Sequence, residues 1–264
     1  MMIETVFIAG QELRVLDLSD RLDNATAEFE PTPHQIRYLT PDKSPEVIKE
    51  KRGIPVDVWP NGLGWSSEIT TMPTHSGTHV DAPSHYGPRI DGKPARTIDQ
   101  VPLRWCMSDG VVLNFSQAAP GYGITAADVE KKLQEITYTL KPFDIVLIRT
   151  DVSKRFKEAG YENLHPGLTR AATEYLVDRG VKLIGIDAWG LDRPFDAMLA
   201  DTNHSESRFW EAHLLGREKE YCQIEKLCNL ADLPESSGFT VLALPVKLAD
   251  ASAGWSRVVA LVQV

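Results

Sequence analysis

Cysteine is scarce in this chain of 264 residues: there are three, Cys106, Cys222 and Cys228, and they form no CxxC pair. An odd number without paired spacing is a poor basis for a disulfide framework, so we expect buried free thiols and a reducing, cytoplasmic setting. The first residues, Met1-Met2-Ile3-Glu4, lack a basic region followed by an apolar run, and no apolar stretch is long enough to span a bilayer. We therefore expect neither a secretory signal nor a membrane segment.

Positive charge is also in short supply, with 28 Lys and Arg against 37 Asp and Glu and a net charge of -9. A surface of this sign repels phosphate backbones and anionic lipids, so we expect neither nucleic acid nor membrane as a partner. Small anionic substrates stay allowed, because a bound metal ion supplies local positive charge. With 42% hydrophobic residues, the chain can bury a substantial core.

Several well-known catalytic signatures are absent. The chain has no GxGxxG after a strand, no GxSxG elbow, no P-loop and no HExxH. These absences argue against a dinucleotide-binding enzyme, an α/β-hydrolase, a P-loop NTPase and a helical zincin.

What the chain does have is a cluster of metal-ligand side chains in the stretch HSGTHVDAPSH, from His75 to His85. His79 and Asp81 are two residues apart, so on a strand their side chains leave the same face. Gly77 allows the backbone to bend before them, and Pro83 ends the strand after them. Imidazole and carboxylate together suit zinc, manganese or iron, and the pattern alone does not choose between zinc and manganese.

Three ligands, His75, His79 and Asp81, would leave open positions on the metal, which is typical of a catalytic rather than a structural site. Metal binding brings the pKa of a bound water to about 7, and a base is then needed to manage its proton. We predict that His85 is this base; the alternatives are a further ligand or an outer partner of a ligand.

Other candidates carry less weight by themselves. His213 and Glu225 are unremarkable alone, and an isolated Glu225 is typical of a solvated helix. Asp187 and Asp192 follow a predicted buried strand, where sites form in α/β sheets, so we treat them as secondary candidates. Trp59 and Trp65 are candidates for an aromatic pocket, although ordinary packing is the commoner role.

Continuous apolar strands alternate with helices, which predicts an α/β fold with mixed sheets and flanking helices in one domain. Residues 31–60 are polar and rich in proline, and we interpret them as an excursion that forms a lid, a dimer contact or a solvated loop. The predicted strands are 4–9, 12–18, 67–72, 111–115, 144–149, 181–186, 239–245 and 257–262. The predicted helices are 45–52, one capped by Thr125 and Asp128, and 169–179, which Gly180 ends.

The stretch from His75 to His85 resembles the HxGTHxDxPxH signature of the cyclase family of metal-dependent hydrolases. Further similarity lies in Leu16-Asp17-Leu18-Ser19, in His165-Pro166-Gly167-Leu168, in Gly185-Ile186-Asp187 and in the C-terminal part from Asn229. The resemblance therefore covers most of the chain.

This resemblance implies a swivelling β/β/α-type fold, commonly as a homodimer or higher homo-oligomer. It implies that His75, His79 and Asp81 bind the first metal and that His85 is the catalytic histidine. In the formamidase branch, Asp81 would bridge to a second metal held by His213 and Glu225, whereas the isatin hydrolase branch implies one manganese. Trp189 replaces a small residue of the formamidases, which implies a differently shaped substrate pocket.

We therefore expect a hydrolase that uses one or two zinc or manganese ions to cleave an amide or cyclic acyl bond of a small aromatic or cyclic substrate. His85 is the expected catalytic residue, and Trp189 and Trp65 are the expected substrate contacts. The alternatives are a lactone hydrolase of the dienelactone type, a kynurenine formamidase proper and, in another class, a non-catalytic metal-binding module.

Overall fold

The computed structural model describes residues 3–30, 32–201 and 209–264. The chain divides into two compact units, Met1–Arg21 with Thr74–Val264 and Leu22–Pro73, which we call the sheet unit and the insert unit. The strands, in chain order, are β1 (Ile3–Ile8), β2 (Gln11–Asp17), β3 (Gln35–Leu39), β4 (Ser67–Thr71), β5 (His79–Asp81), β6 (Arg89–Ile90), β7 (Lys93–Pro94), β8 (Met107–Asn114), β9 (Gly123–Ile124), β10 (Ile145–Arg149), β11 (Gly167–Leu168), β12 (Leu183–Ile186), β13 (Cys222–Glu225), β14 (Phe239–Leu242), β15 (Ala253–Trp255) and β16 (Val259–Gln263). The α-helices are α1 (Ser44–Arg52), α2 (Pro83–Tyr86), α3 (Ala126–Glu135), α4 (Arg170–Val177), α5 (Phe195–Ala200) and α6 (Glu211–Leu215).

One large mixed sheet organises the sheet unit. Within the described residues it has ten strands in the order β1-β2-β16-β14-β8-β10-β12-β13-β5-β15. The middle strands β8, β10, β12 and β13 are parallel. The strands on both sides pair antiparallel, so β5 runs antiparallel between β13 and β15. The predicted α/β class with mixed strand directions is confirmed.

The two faces of this sheet pack into separate cores. Along β10, Leu147 belongs to one hydrophobic cluster, while Val146 and Ile148 belong to the other, as the two-residue period of a strand requires. Val129 of α3 and Leu176 of α4 pack into the second cluster. Because both faces are covered, the central strands consist of continuous apolar residues, as the sequence pattern predicted.

Helix α3 begins where the sequence predicted. Thr125 accepts a hydrogen bond from the Asp128 backbone N–H, and the Asp128 carboxylate accepts one from the Thr125 N–H. This reciprocal capping satisfies two N–H groups that the helix cannot pair internally. The chain after α4 turns at Gly180, whose φ of +87° is accessible to glycine at little cost.

The insert unit contains the hairpin β3–β4, helix α1 and short 3-10 turns. The Asn24 side chain bonds the backbone N–H and C=O of Ile36, which ties the first 3-10 turn to β3. Trp59 and Trp65 lie edge to face, with ring centroids 5.4 Å apart. The predicted 31–60 excursion falls in this unit, except that Pro31 lies outside the described residues. The role of this excursion as a lid or dimer contact stays a prediction. The same holds for the single domain.

Among the described residues, every helix is too short or too polar to cross a bilayer.

Candidate metal centre

Two neighbouring strands of the large sheet carry the core of the centre. His79 and Asp81 lie on β5, and Glu225 lies at the end of β13, directly opposite His79 in the antiparallel register. All three are buried. Side chains directly opposite one another on antiparallel strands lie about 4.5–5.5 Å apart at Cβ, so this register places the Glu225 carboxylate beside the His79 imidazole.

The turns around β5 bring two more histidines. Gly77, with φ of +61°, bends the chain between His75 and β5. Pro83 opens the short helix α2, which carries His85. The predicted bend at glycine and the predicted end of the strand before proline are both confirmed. The ring centroids of His75 and His85 consequently lie 4.2 Å apart.

The first group of ligand atoms is compact. Asp81 Oδ1 lies 2.7 Å from His75 Nδ1 and 3.3 Å from His79 Nε2. His75, His79 and Asp81 can each offer one ligand atom, and these atoms lie within 4.8 Å of one another. The three residues that the sequence assigned to the first metal are therefore brought together.

A backbone contact determines which nitrogen of His79 faces Asp81. His79 Nδ1 lies 2.7 Å from the Gly77 carbonyl oxygen, which can only accept, so Nδ1 carries the proton. In the neutral ring, Nε2 then carries the lone pair, which faces Asp81 Oδ1. Within the described chain, His79 Nε2 and both oxygens of Asp81 have no hydrogen-bond partner. Buried nitrogen and oxygen atoms that converge without a hydrogen-bond partner are the arrangement that a cation satisfies.

A second group shares Asp81 with the first. The ligand atoms of Asp81, His85 and His213 also lie within 4.8 Å of one another. Glu225 lies between the two groups, with Oε2 3.7 Å from His79 Nε2 and Oε1 3.9 Å from His213 Nε2. His213 lies on helix α6. Glu225 Oε1 accepts a hydrogen bond from the Leu191 N–H at 3.1 Å. The structure thus brings all five predicted metal ligands and His85 into one cluster.

Burial and neighbouring charges raise the pKa values of Glu225 and His79 and lower that of Asp81. Burial raises the pKa of Glu225, and the neighbouring Asp81 charge raises it further. Burial acts to raise the pKa of Asp81 too, but the facing His79 charge holds it well below its ordinary value. Burial acts to lower the pKa of His79, but the Asp81 charge raises it overall. The centre therefore attracts positive charge, and a metal cation would compete with protons for it.

His85 belongs to the second group of ligand atoms, and its ring lies beside those of His213 and Trp210. Its ring centroid is 5.3 Å from that of His213 and 5.9 Å from that of Trp210. Burial is the main cause that lowers the pKa of His85 to about 4. Its imidazole is therefore neutral at neutral pH and has a lone pair available to accept a proton.

The aromatic candidates have different surroundings. Trp189 follows β12 and packs edge-on against Phe195, with ring centroids 5.7 Å apart. It is two residues before Leu191, whose N–H binds Glu225, so it lies beside the centre. Trp65 belongs to the insert unit and contacts Trp59. The substrate-binding roles of Trp189 and Trp65 stay predictions.

Two further residues of the centre were underestimated from the sequence. Trp210 stacks on His213, with ring centroids 4.4 Å apart and an interplanar angle of 12°. Its φ of +56° is rare for a bulky residue, and no sequence pattern indicated it. Asp192, a secondary candidate in the sequence, lies 2.5 Å from His213 Nδ1.

Comparison with known proteins agrees with this picture. The model of the Cyclase family matches residues 16–193. A kynurenine formamidase from Erythrobacter litoralis is 31% identical over 189 residues, which is 72% of this chain and 74% of that protein.

Solved structures support the same fold. Isatin hydrolase A from Labrenzia aggregata, bound to benzyl benzoate, superposes with a TM-score of 0.72 at 22% identity, over 96% of this chain and 94% of that one. Isatin hydrolase A from Ralstonia solanacearum gives a TM-score of 0.74 at 22% identity, over 95% and 92% of the two chains. At this identity, the likeness shows the fold alone. Because the family model covers more than half of the chain, this protein belongs to the Cyclase family.

Proposed function

We propose that this protein is a metal-dependent hydrolase that cleaves an amide C–N bond in a small aromatic substrate. The observation that carries the proposal is the convergence of unpartnered, buried electron pairs on His79 and Asp81. Such a set fits a divalent zinc or manganese ion, and the choice between these metals is part of the proposal. The bound ion would lower the pKa of a water and polarise the scissile carbonyl.

The residues of the cluster divide into two ligand sets around a shared carboxylate. His75, His79 and Asp81 would hold one ion. Asp81, which belongs to both groups of ligand atoms, would be shared with a second ion held by His213 and Glu225. Two-metal sites of this kind clamp the attacking and the leaving atoms of a reaction.

His85 would manage the proton of the reaction. Its neutral imidazole would take a proton from the attacking water and deliver it to the leaving nitrogen, so the amine departs uncharged. The ring packs against His75 and His213, which restricts its rotation within the cluster.

Two substrate types have support, and both contain an aryl group next to an amide. The kynurenine formamidase relative at 31% identity favours an arylformamide. The isatin hydrolases of the same fold favour a cyclic amide fused to an aromatic ring. The Trp210 ring beside His85 and His213, and the Trp189 ring that packs against Phe195, would provide apolar surface for such a substrate.

A metal analysis paired with a hydrolysis screen tests the proposal. We expect one or two equivalents of zinc or manganese per chain, and chelator-sensitive hydrolysis of N-formylkynurenine or isatin. A preference for a dienelactone would assign a lactone hydrolase instead. Metal without turnover of any of these, in a protein that unfolds on chelation, would favour the non-catalytic metal-binding module. Absence of metal after reconstitution with both ions would refute the proposal.

A further inference from the structure

Asp192 is a buried carboxylate that no step proposed above uses. Only 4% of the residue is exposed, and it lies between β12 and α5, away from the HSGTHVDAPSH stretch. One of its oxygens, Oδ2, lies 2.5 Å from His213 Nδ1. An ionised carboxylate can only accept, so His213 Nδ1 carries the proton of this contact.

The same carboxylate also holds the backbone that carries His213. Asp192 Oδ1 accepts from the Ala212 N–H at 2.7 Å, and Oδ2 accepts from the His213 N–H at 3.1 Å. These N–H groups belong to the first turn of α6 and have no partner within the helix. Asp192 therefore restrains both the position of the residue and the rotation of its ring.

A second contact restrains the ring from its face. Trp210 stacks on the imidazole at 4.4 Å. With Nδ1 held by Asp192 and the face of the ring covered by Trp210, Nε2 of His213 is directed towards Glu225 Oε1, 3.9 Å away. In the neutral ring, this Nε2 carries the lone pair. His79 is held in the same tautomer by a carbonyl oxygen, whereas His213 is held by a full negative charge.

We propose that Asp192 is the positioning residue of the second metal site, since it holds His213 in the tautomer and orientation that direct Nε2 towards Glu225. A carboxylate behind a ligating imidazole raises the basicity of the ligand, and loss of such a partner typically weakens metal affinity by 10–100-fold. This inference rests on the proposed function, because it assumes that His213 binds a metal ion.

Cobalt titration of the metal-free protein tests this inference, with Asp192→Asn as the variant. Asparagine keeps the size of the side chain, but it has one acceptor oxygen instead of two and cannot restrain both the helix N–H groups and Nδ1. We expect an unchanged first equivalent, a second equivalent bound about 10–100-fold more weakly, and altered visible absorption of the second cobalt ion only.

Asp187→Asn is the matched control. Asp187 is equally buried, lies five residues earlier, and accepts from the Thr150 N–H and hydroxyl and from the Asp151 N–H instead of from a ligand. Both equivalents should bind to this variant as to the wild type. Asp192→Glu, which keeps the carboxylate, should restore part of the second affinity, and it replaces Asp192→Asn as the deciding variant if circular dichroism shows that the latter is unfolded.

Three outcomes would overturn the inference. The first is a second equivalent that binds Asp192→Asn within twofold of the wild type. The second is an equal loss of both equivalents in a folded variant, which would assign Asp192 a general structural role. The third is a wild type that binds a single equivalent; chelator-sensitive hydrolysis by that same sample would leave the proposed hydrolase function intact.

Discussion

At the scale of single residues, the roles of the histidines depend on what the second ring nitrogen contacts. His79 donates Nδ1–H to a carbonyl and His213 donates Nδ1–H to a carboxylate, so both expose Nε2 to the acidic cluster. His85 contacts the rings of His75, His213 and Trp210. The donated Nδ1–H supports ligand roles for His79 and His213, whereas the proton-transfer role of His85 stays a prediction.

Replacing His85 separates these roles. In His85→Ala, we expect the metal content to stay at the wild-type value, because the other ligands are unchanged, and turnover to fall by about 100-fold or more, as loss of a general base typically causes. Elemental analysis and kcat on one preparation measure both. His79→Ala is the matched variant, and it should lose both metal and turnover. Loss of metal from His85→Ala would instead identify His85 as a ligand.

His165 predicts a pH dependence of stability. Burial lowers the pKa of this imidazole to about 4, from an ordinary value of 6.5. Between these values the unfolded chain binds a proton that the folded protein does not, so stability is fully present above pH 6.5 and is lost as the pH falls towards 4. The full contribution is about 3 kcal/mol.

The measurement is urea unfolding of wild type and His165→Asn at pH 7.5 and pH 4.5. The free-energy difference between the two proteins should shrink at the lower pH, because the variant has no imidazole to protonate on unfolding. A difference that is the same at both pH values would contradict the prediction.

At the scale of elements, the centre depends on short strands whose pairing is not local. Strand β5 has three residues, and β13 and β15, which flank it, have four and three. Such short strands carry little periodic signal, and β13 and β15 were not predicted. Glu225, which alone looked like a solvated helix residue, is buried at the end of β13 because its strand pairs with β5.

The cap of α3 gives a prediction at this scale. Thr125→Ala removes the side chain that accepts the Asp128 N–H, and we expect a loss of about 1 kcal/mol in the free energy of unfolding. Metal content should not change, because α3 carries no predicted ligand and packs through Val129 and Leu133 into the second hydrophobic cluster. Chemical denaturation measures the first quantity and elemental analysis the second. Equal stability of the two proteins would show that the cap contributes nothing.

At the scale of the whole molecule, the ligands come from segments far apart in the chain: the 75–85 stretch, His213 on α6 and Glu225 on β13. They converge only in the folded sheet unit, so a metal ion should bind the folded state and stabilise it by mass action. The expected homodimer or higher homo-oligomer, and the expected cytoplasmic location, stay predictions.

Removing the metal should therefore lower the melting temperature. At a free ion concentration 100 times the Kd, the stabilisation is about 2.7 kcal/mol. Calorimetry with chelator, and then with added zinc or manganese, measures the change in Tm. Asp81→Ala, which lacks the shared ligand, should melt at one temperature in all three conditions. A wild-type Tm that does not respond to metal would contradict binding to the folded state.

The sequence by itself determined the class of fold and the capped start of α3, because these depend on local residue types and periodicities. Its resemblance to the HxGTHxDxPxH signature indicated the cyclase family and predicted His75, His79 and Asp81 as the first ligand set. HSGTHVDAPSH needs only a bend, a strand and a proline to bring its side chains together. Only the tertiary structure decided that Glu225 lies opposite His79, that Asp192 holds His213 and that Trp210 covers its ring. The physical reason is that the first two contacts join residues 146 and 21 positions apart, and the third depends on an unusual backbone conformation. Such pairings follow from sheet register and packing rather than from any local pattern.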